Sequence, residues 1–69
     1  MLTAPPPDYG WRIAWPGTDR PPRVGLLTAA DEAAALALLP GLATDPPCRV
    51  TLQRWEGARW VDVGEVEAG

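Results

Sequence analysis

The sequence predicts a small α+β domain: an antiparallel sheet of three to four strands with one helix packed on one face, in the order β-(β)-α-β-β. Three observations carry that prediction. Residues 9–15 alternate cleanly between apolar and small or polar side chains, residues 29–39 form an Ala/Leu block behind a capping signal, and two β-type runs flank Gly57-Ala58. A chain of 69 residues supports one such domain. Its hydrophobic content of 46% is too high for a disordered chain. At this size the folding free energy is about 3–7 kcal/mol.

Residues 1–8 read as a flexible Pro-rich arm, because Pro5, Pro6 and Pro7 each lack a backbone donor and fix φ. The domain proper is expected over 9–69. In the first strand Tyr9, Trp11, Ile13 and Trp15 share the core face, with Gly10, Arg12 and Ala14 on the other. Pro16 to Pro22 is a loop by composition. Arg23 to Leu27 then returns as a second strand. Setting Ile13 against Val24 and Trp11 against Leu26 would bury both pairs.

The helix is expected from Ala29 to Leu39. Thr28 supplies an N-cap hydroxyl, Asp31 stands at the third helical position, and Asp31 and Glu32 favour the positive end of the helix dipole. Pro40-Gly41 stops it. On a helical projection Ala35, Leu36, Leu38 and Leu39 form an apolar arc, opposite Ala30, Ala34 and Ala37. After a loop at 43–47, Cys48–Trp55 and Trp60–Glu67 form a hairpin whose Gly57-Ala58 suits a type II′ turn. That register sets Trp55 against Trp60, Glu56 against Arg59 and Leu52 against Val63. Gly64 breaks the alternation and marks a bulge.

The residue inventory excludes several kinds of chemistry. The chain has no His, Lys, Ser, Asn or Phe. Without His it lacks the side chain that usually moves protons near neutral pH, and without Ser a Ser-His-Asp arrangement is impossible. A lone Cys48 cannot close an intramolecular disulfide and reads as a small buried hydrophobe. The nine carboxylates match no metal-ligand motif, and the glycines match no phosphate loop. Glu65 and Glu67, two apart on one strand face, read as a solvated edge. The expectation is therefore a protein that is not an enzyme, without cofactor, metal or small-molecule substrate. The first residues show no signal-peptide pattern and no apolar run is long enough for a bilayer, so a cytoplasmic setting is expected.

Four tryptophans in so short a chain point instead to binding. Trp11 and Trp15 fall on the core face. Trp55 and Trp60 fall on the opposite face, beside Arg49, Gln53 and Asp62, where they either zip the hairpin or anchor a partner. The helix carries no charge after its first turn, so Ala34 and Leu38 are candidate contacts for another protein or a second copy. The leading expectation is a protein–protein interaction module of accessory, adaptor or inhibitor type.

The alternative is a nucleic-acid binder, with Trp55, Trp60 and Arg49 as a stacking platform and Arg12, Arg20 and Arg23 meeting phosphate. Trp11-Arg12, Arg23 and the segment from Thr28 to Leu39 resemble the arm-type and AP2-like DNA-binding domains of phage integrases, which implies DNA binding. The likeness spans residues 11–39, and the final hairpin has no counterpart in that pattern. Those domains are basic, whereas this chain carries a net charge of −3 with its acidic excess in residues 31–69.

Overall fold

A computed structural model describes residues 9–69; the Pro-rich arm expected at 1–8 lies outside the described residues. Four strands, β1 (Tyr9–Ala14), β2 (Arg23–Leu27), β3 (Cys48–Trp55) and β4 (Trp60–Ala68), form one antiparallel sheet in the order β2-β1-β3-β4. The helix α1 (Glu32–Leu38) and a 3₁₀ turn (Leu39–Leu42) connect β2 to β3 and cover one face. This is the α+β architecture expected, with all four strands present.

The core lies between that face and the helix. Tyr9, Ile13, Trp15, Cys48, Val50 and Leu52 come from the sheet, and Ala35 and Leu39 from the helical segment, all buried. Trp15, Pro16, Gly17 and Thr18 make a tight turn: Gly17 has φ 79°, and the Thr18 N–H donates to the Trp15 carbonyl at 3.2 Å. Pro at the second position and Gly with positive φ at the third are what a type II turn requires. In the final hairpin Gly57 has φ 85° and Trp55 faces Trp60, as the turn chemistry demands.

Four expectations need correction. The first concerns the β1–β2 register, in which Trp11 faces Gly25, Arg12 faces Val24 and Gly10 faces Leu26. A one-residue slip turns every side chain over, so Val24 and Leu26 point away from the core instead of into it. The cause is the bulk of Trp11, whose indole occupies the space a Cβ at residue 25 would need. Only glycine opposite Trp11 leaves room for the ring.

The second concerns the helix start. Asp31, not Thr28, is the N-cap: its backbone is extended and its carboxylate accepts from the Ala34 N–H at 2.8 Å. Residues 28–30 stay outside the helix, and Ala29 packs against the core. Asp31→Ala is therefore expected to lower stability by about 0.5–2 kcal/mol, whereas Thr28→Ala changes it by less than ~0.5 kcal/mol. Urea titration of both variants checks this, and the reverse order would restore Thr28 as the cap.

The third concerns the helix phase. Leu38, expected in the apolar arc, is 47% exposed, while Ala35 and Leu39 are fully buried. Pro40 cannot donate the next helical hydrogen bond, and the chain tightens into the 3₁₀ turn that brings Leu42 onto the core. The fourth concerns the last hairpin. Leu52 faces Gly64 instead of Val63, with the irregularity between Leu52 and Gln53 leaving Val63 as the extra residue. Leu36 fills the space above Gly64, so this glycine also admits the helix. The Glu56 carboxylate pairs with Arg54 at 2.9 Å and not with Arg59 across the turn; Glu56 and Arg59 meet through their backbones.

Candidate functional site

The helix covers one face of the sheet and leaves the other open. On that open face the ladder aligns side chains in rows. Trp60 and Trp55 form the first; Asp62, Gln53, Gly10 and Leu26 the second; Glu65, Thr51, Arg12 and Val24 the third. A fourth row sets Glu67 beside Arg49 and Ala14. The rows divide the face into an apolar end at the hairpin turn and a charged end away from it.

At the apolar end the Trp55 and Trp60 rings meet edge to face with centroids 5.3 Å apart. Trp60 reaches diagonally over Gln53 to Gly10, where an added Cβ would lie 3.3 Å from the ring. Beyond Gly10, Val24, Leu26, Gly25 and Gln53 complete with Trp60 a shallow cleft of about 310 Å³. The exposed large apolar side chains on this face are Val24 (70%), Leu26 (64%), Trp55 (41%) and Trp60 (37%).

The polar groups are paired with one another. Arg12 contacts Asp62 at 3.3 Å, and Gln53 donates to the other Asp62 oxygen at 3.0 Å. Arg49 binds Glu67 at 2.9 Å and Glu65 at 3.4 Å. The Arg49 guanidinium thus occupies the place between the two carboxylates. Among the described residues no group of three or more acidic, His or Cys side chains gathers in metal-binding geometry. On the covered side, Arg54 joins Glu32 of the helix (3.1 Å) to Glu56 of the turn (2.9 Å). The hydrogen bond that Arg54 donates to Glu56, then the charge of Glu56, and then that of Glu32 hold the Arg54 pKa above its ordinary value.

The structure brings Trp55, Trp60, Gln53 and Asp62 together as the hairpin register implied. Arg49 shares their face but belongs to the charged end, engaged by Glu65 and Glu67. Ala34 and Leu38 are exposed on the helix, on the other side of the sheet, and do not join this surface. Sequence reasoning missed Val24 and Leu26, which it placed in the core, and Gly10 as the floor under Trp60. The signal for Val24 and Leu26 was present in Gly25, the one residue of β2 small enough to face Trp11.

Among the described residues no helix is long and apolar enough to cross a membrane. In comparisons with known proteins, no family model, no curated protein and no solved structure matches this chain.

Proposed function

We propose that this chain is a non-enzymatic protein–protein interaction module, of accessory, adaptor or inhibitor type, that engages its partner through the open sheet face. The observation that supports this most is the gathering of Trp55, Trp60, Leu26 and Val24 into one apolar patch on the face the helix leaves bare. Tryptophan in a partly open apolar setting is the residue type that most often anchors a protein interface. The cleft beside Trp60 gives an incoming apolar side chain a place to enter. Arg12 and Arg49 are already matched by carboxylates on the same face, which favours a mixed protein surface over a phosphate backbone as the partner. A cytoplasmic setting is part of this proposal.

Trp60→Ala is expected to weaken binding of the physiological partner at least tenfold, about 1.4 kcal/mol or more. The fold should survive, since the aromatic pair contributes only about 0.5–1.5 kcal/mol beyond its area burial. Circular dichroism and calorimetric titration measure the two quantities separately. A companion titration follows tryptophan fluorescence against single-stranded and duplex nucleic acid at low and moderate salt. No saturable response is expected. Saturable quenching that weakens with salt would replace this reading with nucleic-acid binding on the same face.

A further inference from the structure

The two edges of the sheet differ in a way that bears on self-association. An edge strand presents unpaired backbone donors and acceptors, and proteins usually guard it with charge, proline or a bulge. The β4 edge is guarded twice, by Asp62, Glu65 and Glu67 and by the irregularity at Val63. The β2 edge is not. Its strand, Arg23-Val-Gly-Leu-Leu27, has a charge only at its first residue, and its large apolar side chains Val24 and Leu26 are exposed. Among the described residues nothing pairs with its outer side.

From this asymmetry we infer that β2 is a self-association edge, pairing antiparallel with β2 of a second copy of this chain to extend the sheet. A two-fold axis at Gly25 sets Val24 of each copy against Leu26 of the other on the open face. It sets Arg23 of each against Leu27 of the other on the covered face. The charges permit this pairing and oppose the alternative. The two Arg23 residues fall at opposite ends of the ladder, with backbones about 14 Å apart at ~3.4 Å per residue, beyond the ~8 Å screening length of physiological salt. Pairing of two β4 edges would bring together six carboxylates with only four arginines, two Arg12 and two Arg49, to offset them.

Pro21 and Pro22 lack backbone donors and confine the ladder to β2. Five residues a side is a small interface, so the association is expected to be reversible and dependent on concentration. It shares Val24 and Leu26 with the partner surface proposed above but uses the backbone edge of β2 and not the Trp55–Trp60 pair, and so goes beyond that reading.

Sedimentation equilibrium of the full chain over micromolar to millimolar concentrations tests this. The mass is expected to rise from 7.4 kDa towards twice that value. Backbone amides of β2, but not those of β4, should exchange more slowly as concentration rises. Val24→Lys, which guards the edge with a charge at a side chain already in solvent, should weaken the dimer at least tenfold without changing the circular dichroism. Glu65→Lys, on the other edge, should not weaken it. A chain that stays at 7.4 kDa throughout overturns the inference. So does a dimer that survives both Val24→Lys and Leu26→Lys. A dimer lost in Trp60→Ala but kept in Val24→Lys overturns it as well, assigning self-association to the open face. A dimer kept in Trp60→Ala while partner binding is lost supports both assignments separately.

Discussion

Trp15→Ala is expected to destabilise the domain by about 3–5 kcal/mol, the usual cost of truncating a buried large aromatic. Against about 3–7 kcal/mol for a chain of this size, that leaves much of the population unfolded at 25 °C. The ring is buried in the core at the end of β1. Its indole N–H donates to the carbonyls of Thr44 (2.9 Å) and Asp45 (3.2 Å), tying the loop before β3 to the turn after β1. Arg20 lies over the same ring at 3.8 Å and reaches Asp45 at 3.4 Å. One side chain thus fills the core and closes the end of the sheet away from the hairpin turn.

Trp15→Phe separates the two roles. It keeps most of the apolar bulk but leaves the Thr44 and Asp45 carbonyls without the indole donor, and should cost about 1–3 kcal/mol. Urea-induced unfolding followed by far-ultraviolet circular dichroism measures both variants. A loss below ~1 kcal/mol for Trp15→Ala would show that the ring is not in the core.

The second large effect is expected at Leu39. Leu39→Ala should cost about 2–5 kcal/mol, whereas Leu38→Ala, one residue earlier, should change stability by no more than ~0.5 kcal/mol. Leu39 is fully buried at the junction of α1 with the 3₁₀ turn, and Leu38 is turned to solvent. Few side chains attach the helical segment to the sheet: Ala35 and Leu39 are buried, while Leu36 and Leu42 pack at the core margin. Removing the largest of the buried anchors should loosen the helix before it breaks the hairpin. Amide exchange should then rise first over residues 32–42. Equal losses at Leu38 and Leu39 would mean that the helix is rotated from the orientation described.

The readability of the two hairpins differed for a physical reason. In the second, Gly57-Ala58 admits a two-residue turn with positive φ at its first position, and that geometry sets Trp55 against Trp60. In the first, an eight-residue connection from Trp15 to Pro22 leaves the register open. Val24, Leu26 and Leu27 give β2 an apolar residue on either face. The helix posed a similar problem. Thr28 and Asp31 are both good caps, and a block of Ala and Leu has no polar residue to mark its outer side.

The element types, their order, the turn chemistry of the last hairpin and the absence of the side chains used in His- and Ser-based catalysis are all legible in the residues alone. Those properties are local: they follow from φ preferences, from side-chain periodicity and from which functional groups are present. Which side of β2 and which side of the helix is covered depends on packing across the fold. Trp11 requires the space at Gly25, which turns Val24 and Leu26 outward; Leu36 requires the space at Gly64, which accompanies the outward turn of Leu38. Both are matters of fit between residues distant in the chain. In a strand a single-residue shift exchanges the buried and exposed faces, so those two glycine-sized spaces decide which apolar side chains remain open to a partner.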